Sequence, residues 1–251
     1  MKGKIDIKDH DSCGTGVLFS KNNEFAHSVI ERSLLSLSNM KHRGALSYDG
    51  MTTDGCGILL DIDRKFFQKK LLEEQKLILP NNFSIAVLMV QNNFDYEKIF
   101  LKICSKFNLK IIAKREVDAK KNILGELAQK SCPKIIQIFV APKKNNTASN
   151  HEPSFFKIKK YFDNNFCAEK EIYCVSFSAK TIVYKGLIHP DVFSDFYTDL
   201  ADPSHTSASA TFHIRFSTNT SPKWHLAQPY RNIAHNGEIN TISGNRNWAT
   251  A

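Results

Sequence analysis

The sequence has no long apolar run. No stretch approaches the roughly 20 residues that cross a bilayer, and no apolar segment at the N-terminus resembles an export signal. These absences argue against a membrane partner and against secretion. The expected location is the cytoplasm, or the plastid stroma if the gene is organellar. The abundance of Lys and Asn fits an AT-rich coding sequence. Paired cysteines are also missing. The six cysteines stand at 13, 56, 104, 132, 167 and 174, with no CxxC and no Cys/His spacing suited to zinc. No metal and no disulfide framework are expected, and five of the thiols read as ordinary buried side chains. There is no dense basic stripe either. The net charge of +9 is spread over scattered pairs such as Lys69-Lys70 and Lys143-Lys144, without interleaved aromatics. Nucleic acid is therefore not an expected partner. Internal repeats and a phosphate-cradling glycine loop are likewise absent.

What is present suffices for one large domain, or one domain with an insertion: 251 residues, 42% hydrophobic, with 18 Phe. Strands are expected at 13–19, 56–62, 83–90, 109–115, 134–141 and 209–216. Helices are expected at 25–40, where apolar residues recur at helical spacing, and at 96–107 and 123–129. Residues 83–141 read as a candidate inserted α/β unit. Residues 142–153 read as a polar loop. Residues 171–177 and 181–184, joined by Ser178-Ala179-Lys180, read as a hairpin. A short strand is expected at 232–235, ending at Asn236-Gly237.

Two segments supply the parts needed to cut a carboxamide. Cys13 stands among small residues in Asp11-Ser12-Cys13-Gly14-Thr15-Gly16. A thiol attacks a carbonyl as its thiolate, with a base nearby. No His adjoins Cys13, so the base is either a residue brought in by folding or the α-amine of Cys13, exposed by removal of Met1–Ser12. An α-amine has an unperturbed pKa of about 8 and can accept and return a proton. Read alone, the segment favours Cys13 as a small buried hydrophobe in a strand. Asn236 offers a side-chain amide and Gly237 an open backbone N–H, the donors a tetrahedral oxyanion needs. The same dipeptide is also a common tight turn. Arg215 lies between Ile214 and Phe216. A substrate carboxylate or a core carboxylate would satisfy it.

Together these segments resemble the N-terminal amidotransferase domain of the glutamate synthase large subunit, a class II glutaminase of the N-terminal-nucleophile type. The resemblance runs in order through His10-Asp11-Ser12-Cys13-Gly14, His42-Arg43-Gly44-Ala45 and Asp54-Gly55-Cys56-Gly57. It continues through Thr181 to Leu187, Phe196 to Leu200, Arg215 to Thr220, Trp224, Ala227-Gln228-Pro229 and Ala234 to Asn240. It closes at Gly244-Asn245 and Asn247-Trp248, so it covers nearly the whole chain.

The resemblance implies an α+β fold, a four-layer αββα sandwich. It implies a propeptide at 1–12 and a partial amidotransferase domain at 13–251. Cys13 would be the nucleophile, its α-amine the general base, and Asn236 and Gly237 the oxyanion hole. Arg215 would bind the α-carboxylate of L-glutamine, and Arg43 and Gly44 would line the nucleophile. The products would be glutamate and ammonia, formed through a thioester. In the family, ammonia passes to synthase domains that make glutamate from 2-oxoglutarate. Those domains carry FMN and an iron–sulfur cluster and draw electrons from ferredoxin or an NAD(P)H-oxidising small subunit. No cofactor is expected within this chain.

The family's domain runs well past position 251, and a carboxylate for the glutamine α-amine is expected downstream. An incomplete C-terminal end, unpaired sheet edges and weak activity alone are therefore expected. The competing readings are another class II amidotransferase, against which the 216–248 block argues, and an inactive or partner-dependent fragment.

Overall fold

A computed structural model describes residues 13–91, 95–143, 151–166, 172–217 and 221–230. The strands it contains are β1 (Gly14–Phe19), β2 (Cys56–Asp61), β3 (Ser84–Val90), β4 (Leu109–Glu116), β5 (Lys134–Pro142), β6 (Ile172–Ser178), β7 (Thr181–Gly186) and β8 (Ser209–Ile214). They form two four-stranded antiparallel sheets, ordered β1-β8-β2-β7 and β4-β5-β3-β6. The helices are α1 (His27–Asn39), α2 (Arg64–Gln75), α3 (Tyr96–Lys106), α4 (Glu126–Lys130), α5 (Glu152–Asn165), α6 (Phe193–Phe196) and α7 (Thr198–Ala201). The architecture is α+β: two antiparallel sheets with helices packed on them.

The period-two alternation of β3 shows how the layers arise. Every residue of Ser-Ile-Ala-Val-Leu-Met-Val is buried. Ala86, Leu88 and Val90 face a core completed by Phe100 and Ile103 of α3 and by Phe155, Ile158 and Phe162 of α5. Ile85, Val87 and Met89 face the larger core, which also holds Ile58 and Leu60 of β2, Phe212 and Ile214 of β8, and the buried sides of α1 and α2. A strand covered on both faces reads as a continuous apolar run.

A buried ionic knot joins these layers. Arg115 of β4 donates to both oxygens of Asp199 in α7, at 2.7 and 2.9 Å. It also donates to Gln137 of β5 and to Glu74 of α2. The Tyr184 hydroxyl of β7 donates to the same Asp199 carboxylate. Burial alone would lower the pKa of Arg115, but the Asp199 bonds outweigh it and hold the guanidinium charged.

Several features differ from the sequence-based expectations. The segments on either side of Ser178-Ala179-Lys180 form no hairpin: β6 pairs with β3 and β7 with β2, so the chain changes sheet at that turn. The helix expected at 123–129 is the short α4, preceded by a 3₁₀ turn at Lys121–Ile123. The loop expected at 142–153 runs into α5, which starts with Pro153 in its first turn, where proline's fixed φ and missing N–H are tolerated. The 83–141 segment supplies three strands of the second sheet, and β6 supplies the fourth. Residues 1–12, read as a propeptide, lie outside the described residues.

Candidate active site

Four segments meet at one end of the first sheet through a chain of backbone bonds. The Asp54 N–H donates to Ala45 O, and the Arg215 N–H donates to Gly55 O at 2.8 Å. Gly14 sits opposite Ile214 in the β1–β8 register, which sets Cys13 against the residues just past β8. The Phe216 N–H reaches Cys13 Sγ at 3.2 Å, and the thiol faces Phe216 O at 3.5 Å.

Among the described residues, Cys13 is the exposed thiol. Cys56, Cys104 and Cys174 are buried, and Cys132 is half-buried. Burial raises the thiol of Cys56 well above its ordinary range, pushes Cys104 and Cys174 up to about 12 and Cys132 to about 11. Those thiols stay protonated and inert. Cys167 lies outside the described residues.

An open cleft of about 600 Å³ lies over Cys13, lined also by Asn39, Met40, His42 and Arg43. Its wall is the 3₁₀ turn Lys41–Arg43 that follows α1. The turn is pinned by Lys41 to Asp191 at 2.7 Å. Arg43 is 6% exposed, and Gly44 follows it against the end of β8. A Cβ at Gly44 would lie 2.6 Å from Ile214 Cδ1, so glycine is what lets the turn close on the strand.

Arg215 lies one residue beyond β8 rather than within a strand, and it is half-buried. Its guanidinium donates to Asp54 O at 3.3 Å and to Ser217 Oγ at 3.1 Å. The Asp54 carboxylate in turn accepts the Ser217 N–H. Desolvation raises the pKa of Asp54, against the pull of that N–H and of Arg215. Asp54 and Ser217 thus fix the direction of Arg215. Sequence reasoning quoted both residues in matching blocks but gave them no role. Their signal was their place beside Gly55 and Arg215.

The structure therefore brings Cys13, Arg43, Gly44 and Arg215 to one place. Asn236 and Gly237 lie outside the described residues. Among the described residues, no group of three or more His, Cys, Asp or Glu could hold a metal ion.

The model of the family described as "Glutamine amidotransferases class-II" matches residues 13–251, beginning at Cys13. The chain belongs to that family, whose fold is the N-terminal-nucleophile hydrolase type. Within it the chain is similar to glutamate synthases. It is 39% identical over 251 residues to the ferredoxin-dependent glutamate synthase of Pyropia yezoensis, covering 96% of this chain and 16% of that protein. It is 36% identical over 253 residues to the glutamate synthase [NADPH] large chain of Bacillus subtilis, covering 97% and 16%. Against the glutamate synthase [NADH] of Saccharomyces cerevisiae it is 35% identical over 255 residues, covering 96% and 12%. The chain thus spans about a sixth of the length of the first of these.

Proposed function

We propose that this chain performs the glutaminase half-reaction of a glutamate synthase. The Cys13 thiolate attacks the side-chain amide carbon of L-glutamine. The tetrahedral oxyanion is held by Asn236 and Gly237. The α-amine of Cys13, freed by loss of Met1–Ser12, takes the thiol proton and returns it to the departing ammonia. Water then hydrolyses the thioester to glutamate and regenerates the thiol. Arg215, aimed by Asp54 and Ser217, binds the α-carboxylate of glutamine. Arg43 and Gly44 shape the wall.

The observation that carries this reading is the position of Cys13. It is exposed, at the mouth of a cleft, with the Phe216 N–H on its sulfur and the Arg215 segment beside it. The ammonia is proposed to pass to synthase domains that convert 2-oxoglutarate to glutamate, with FMN and an iron–sulfur cluster held there. Ferredoxin or an NAD(P)H-oxidising small subunit would supply electrons. The relatives' names divide between ferredoxin, NADH and NADPH, in keeping with either donor class. The proposed location is the cytoplasm or a plastid stroma; one relative in Arabidopsis thaliana is named chloroplastic. Among the described residues, no helix is long and apolar enough to cross a membrane.

The test is glutamine hydrolysis by the protein and by its Cys13→Ala variant, read as released ammonia. Loss of activity to background, about three orders of magnitude or more, is expected. Equal rates in both would overturn the assignment.

A further inference from the structure

Lys185 is a lysine in the middle of the protein. It lies on β7 with no exposed surface at all, opposite Gly57 of β2. Its amine donates to the backbone oxygen of His225 at 3.0 Å. The same Nζ lies 4.3 Å from the centre of the Tyr230 ring and 5.1 Å from that of Tyr173. Two aromatic faces and a carbonyl form a cation-binding cage. A lysine is an expensive choice for a buried strand position unless its charge is used.

Two of the residues it meets, His225 and Tyr230, belong to one segment, 221–230, which crosses the end of the first sheet as a strap, while Tyr173 lies on β6. The strap contains the 3₁₀ turn Trp224–Leu226 and presses directly on the strands beneath it. The Trp224 ring occupies the space where a Cβ of Gly186 would stand, and Gln228 O does the same over Gly57. Ala227 lies 2.7 Å from the position of a Cβ on Gly55. The sheet therefore offers the strap a glycine floor, and Lys185 is the side chain that reaches up from that floor to hold it. The Tyr230 hydroxyl also turns toward His225 O and Leu226 O.

The strap runs between two stretches with proposed roles. It follows the segment carrying Arg215, and six residues after Tyr230 the sequence reaches Asn236-Gly237. We propose that Lys185 is a positioning residue for glutamine hydrolysis: by clamping the strap to the sheet, it sets where the oxyanion-binding stretch starts. This rests on the glutaminase reading above. Lys185 touches no reacting atom. Its effect passes through His225 and Tyr230 to the backbone that follows them.

The test uses Lys185→Met and Tyr230→Leu in the protein as it exists. Met keeps the length and apolar stem of Lys, so the strand position stays filled. Four quantities are read: kcat, KM for glutamine, melting temperature, and the fraction of Cys13 alkylated by iodoacetamide. The expected result for Lys185→Met is a kcat about tenfold to a hundredfold lower, the scale of a misplaced catalytic group. KM should stay within roughly twofold, since oxyanion contacts act on the transition state rather than on bound glutamine. Melting temperature should stay within roughly 4 °C and alkylation of Cys13 should be complete. Tyr230→Leu, which removes one wall of the cage, should lower kcat in the same direction by less.

Unchanged kcat in both variants would overturn the proposal. So would a loss of kcat that merely follows the loss of folded, alkylatable protein, because that is a structural role only. If Lys185→Met does not fold, Tyr230→Leu decides by the same readouts. Absence of glutaminase activity in the unmodified protein would instead refute the underlying function, and the proposal would fall with it.

Discussion

His213 shows what one buried side chain does to pH behaviour. It sits on β8 opposite Thr15 and Gly57, 4% exposed, and its Nδ1 has no hydrogen-bond partner among the described residues. Desolvation first, and the nearby Arg215 charge second, lower its pKa from 6.5 to about 4. The unfolded chain therefore binds a proton at this site between about pH 6.5 and 4 that the folded chain does not. Stability from this group is fully present above pH 6.5 and is lost as pH falls toward 4. The loss amounts to about 3 kcal/mol at most. Buried His205, also shifted downward, adds in the same direction. Melting curves between pH 7 and 4 should show a shallower acid slope for His213→Leu than for the unmodified protein. Equal slopes would contradict this reading. Nothing in the sequence marked His213. Its burial comes with its place in the sheet, between Thr15 of β1 and Gly57 of β2, and those pairings are long-range.

Helix α2 shows why some elements were legible and others not. The strands β1, β2, β3, β4 and β5 carry short apolar or alternating runs, and their bounds agree with expectation to within about two residues. In α2 the run Arg-Lys-Phe-Phe-Gln-Lys-Lys-Leu-Leu-Glu-Glu-Gln buries only Phe66, Phe67 and Leu71, too narrow a stripe to stand out by periodicity. Its start was nonetheless written in the sequence. Asp63 Oδ1 accepts the Phe66 N–H at 3.1 Å, a helix cap, and its Oδ2 accepts the Thr206 N–H at 2.9 Å. One carboxylate therefore begins α2 and fastens the loop leading into β8. Asp63→Ala should cost about 2 kcal/mol, the upper end for a lost cap, because the Thr206 bonds go with it. A urea midpoint unchanged from the unmodified protein would contradict that. The apparent hairpin failed for a different reason. A short turn between two strands says that the chain reverses, but not that the strands share a sheet.

Across the whole molecule, the two sheets and the helices packed on them are tied together by the Arg115–Asp199 pair, whose two side chains are 2% and 1% exposed. Such a pair is weak evidence of net stability, but removing one partner strands a buried charge. Asp199→Ala should destabilise the fold by about 3–5 kcal/mol, read by denaturant unfolding. A cost below about 1 kcal/mol would show that Glu74 and water compensate for the loss. Asp199 lies in the Phe196–Leu200 block quoted from the sequence, but its partner Arg115 is 84 residues away and was read only as the end of a strand. The site was legible in a similar, partial way. Cys13, Arg43, Gly44 and Arg215 were named from motifs, and the fold gathers them. Asp54 and Ser217, which aim Arg215, and Lys185, which clamps the strap, became visible only through contacts between segments far apart in sequence.

The central claim is that Cys13 is a glutamine-directed nucleophile with a free α-amine. Intact mass spectrometry of the purified protein, before and after exposure to a diazo-ketone analogue of glutamine, tests it directly. The account predicts loss of the mass of Met1–Ser12 and then a single adduct located on Cys13. A full-length mass that gains no adduct would contradict it.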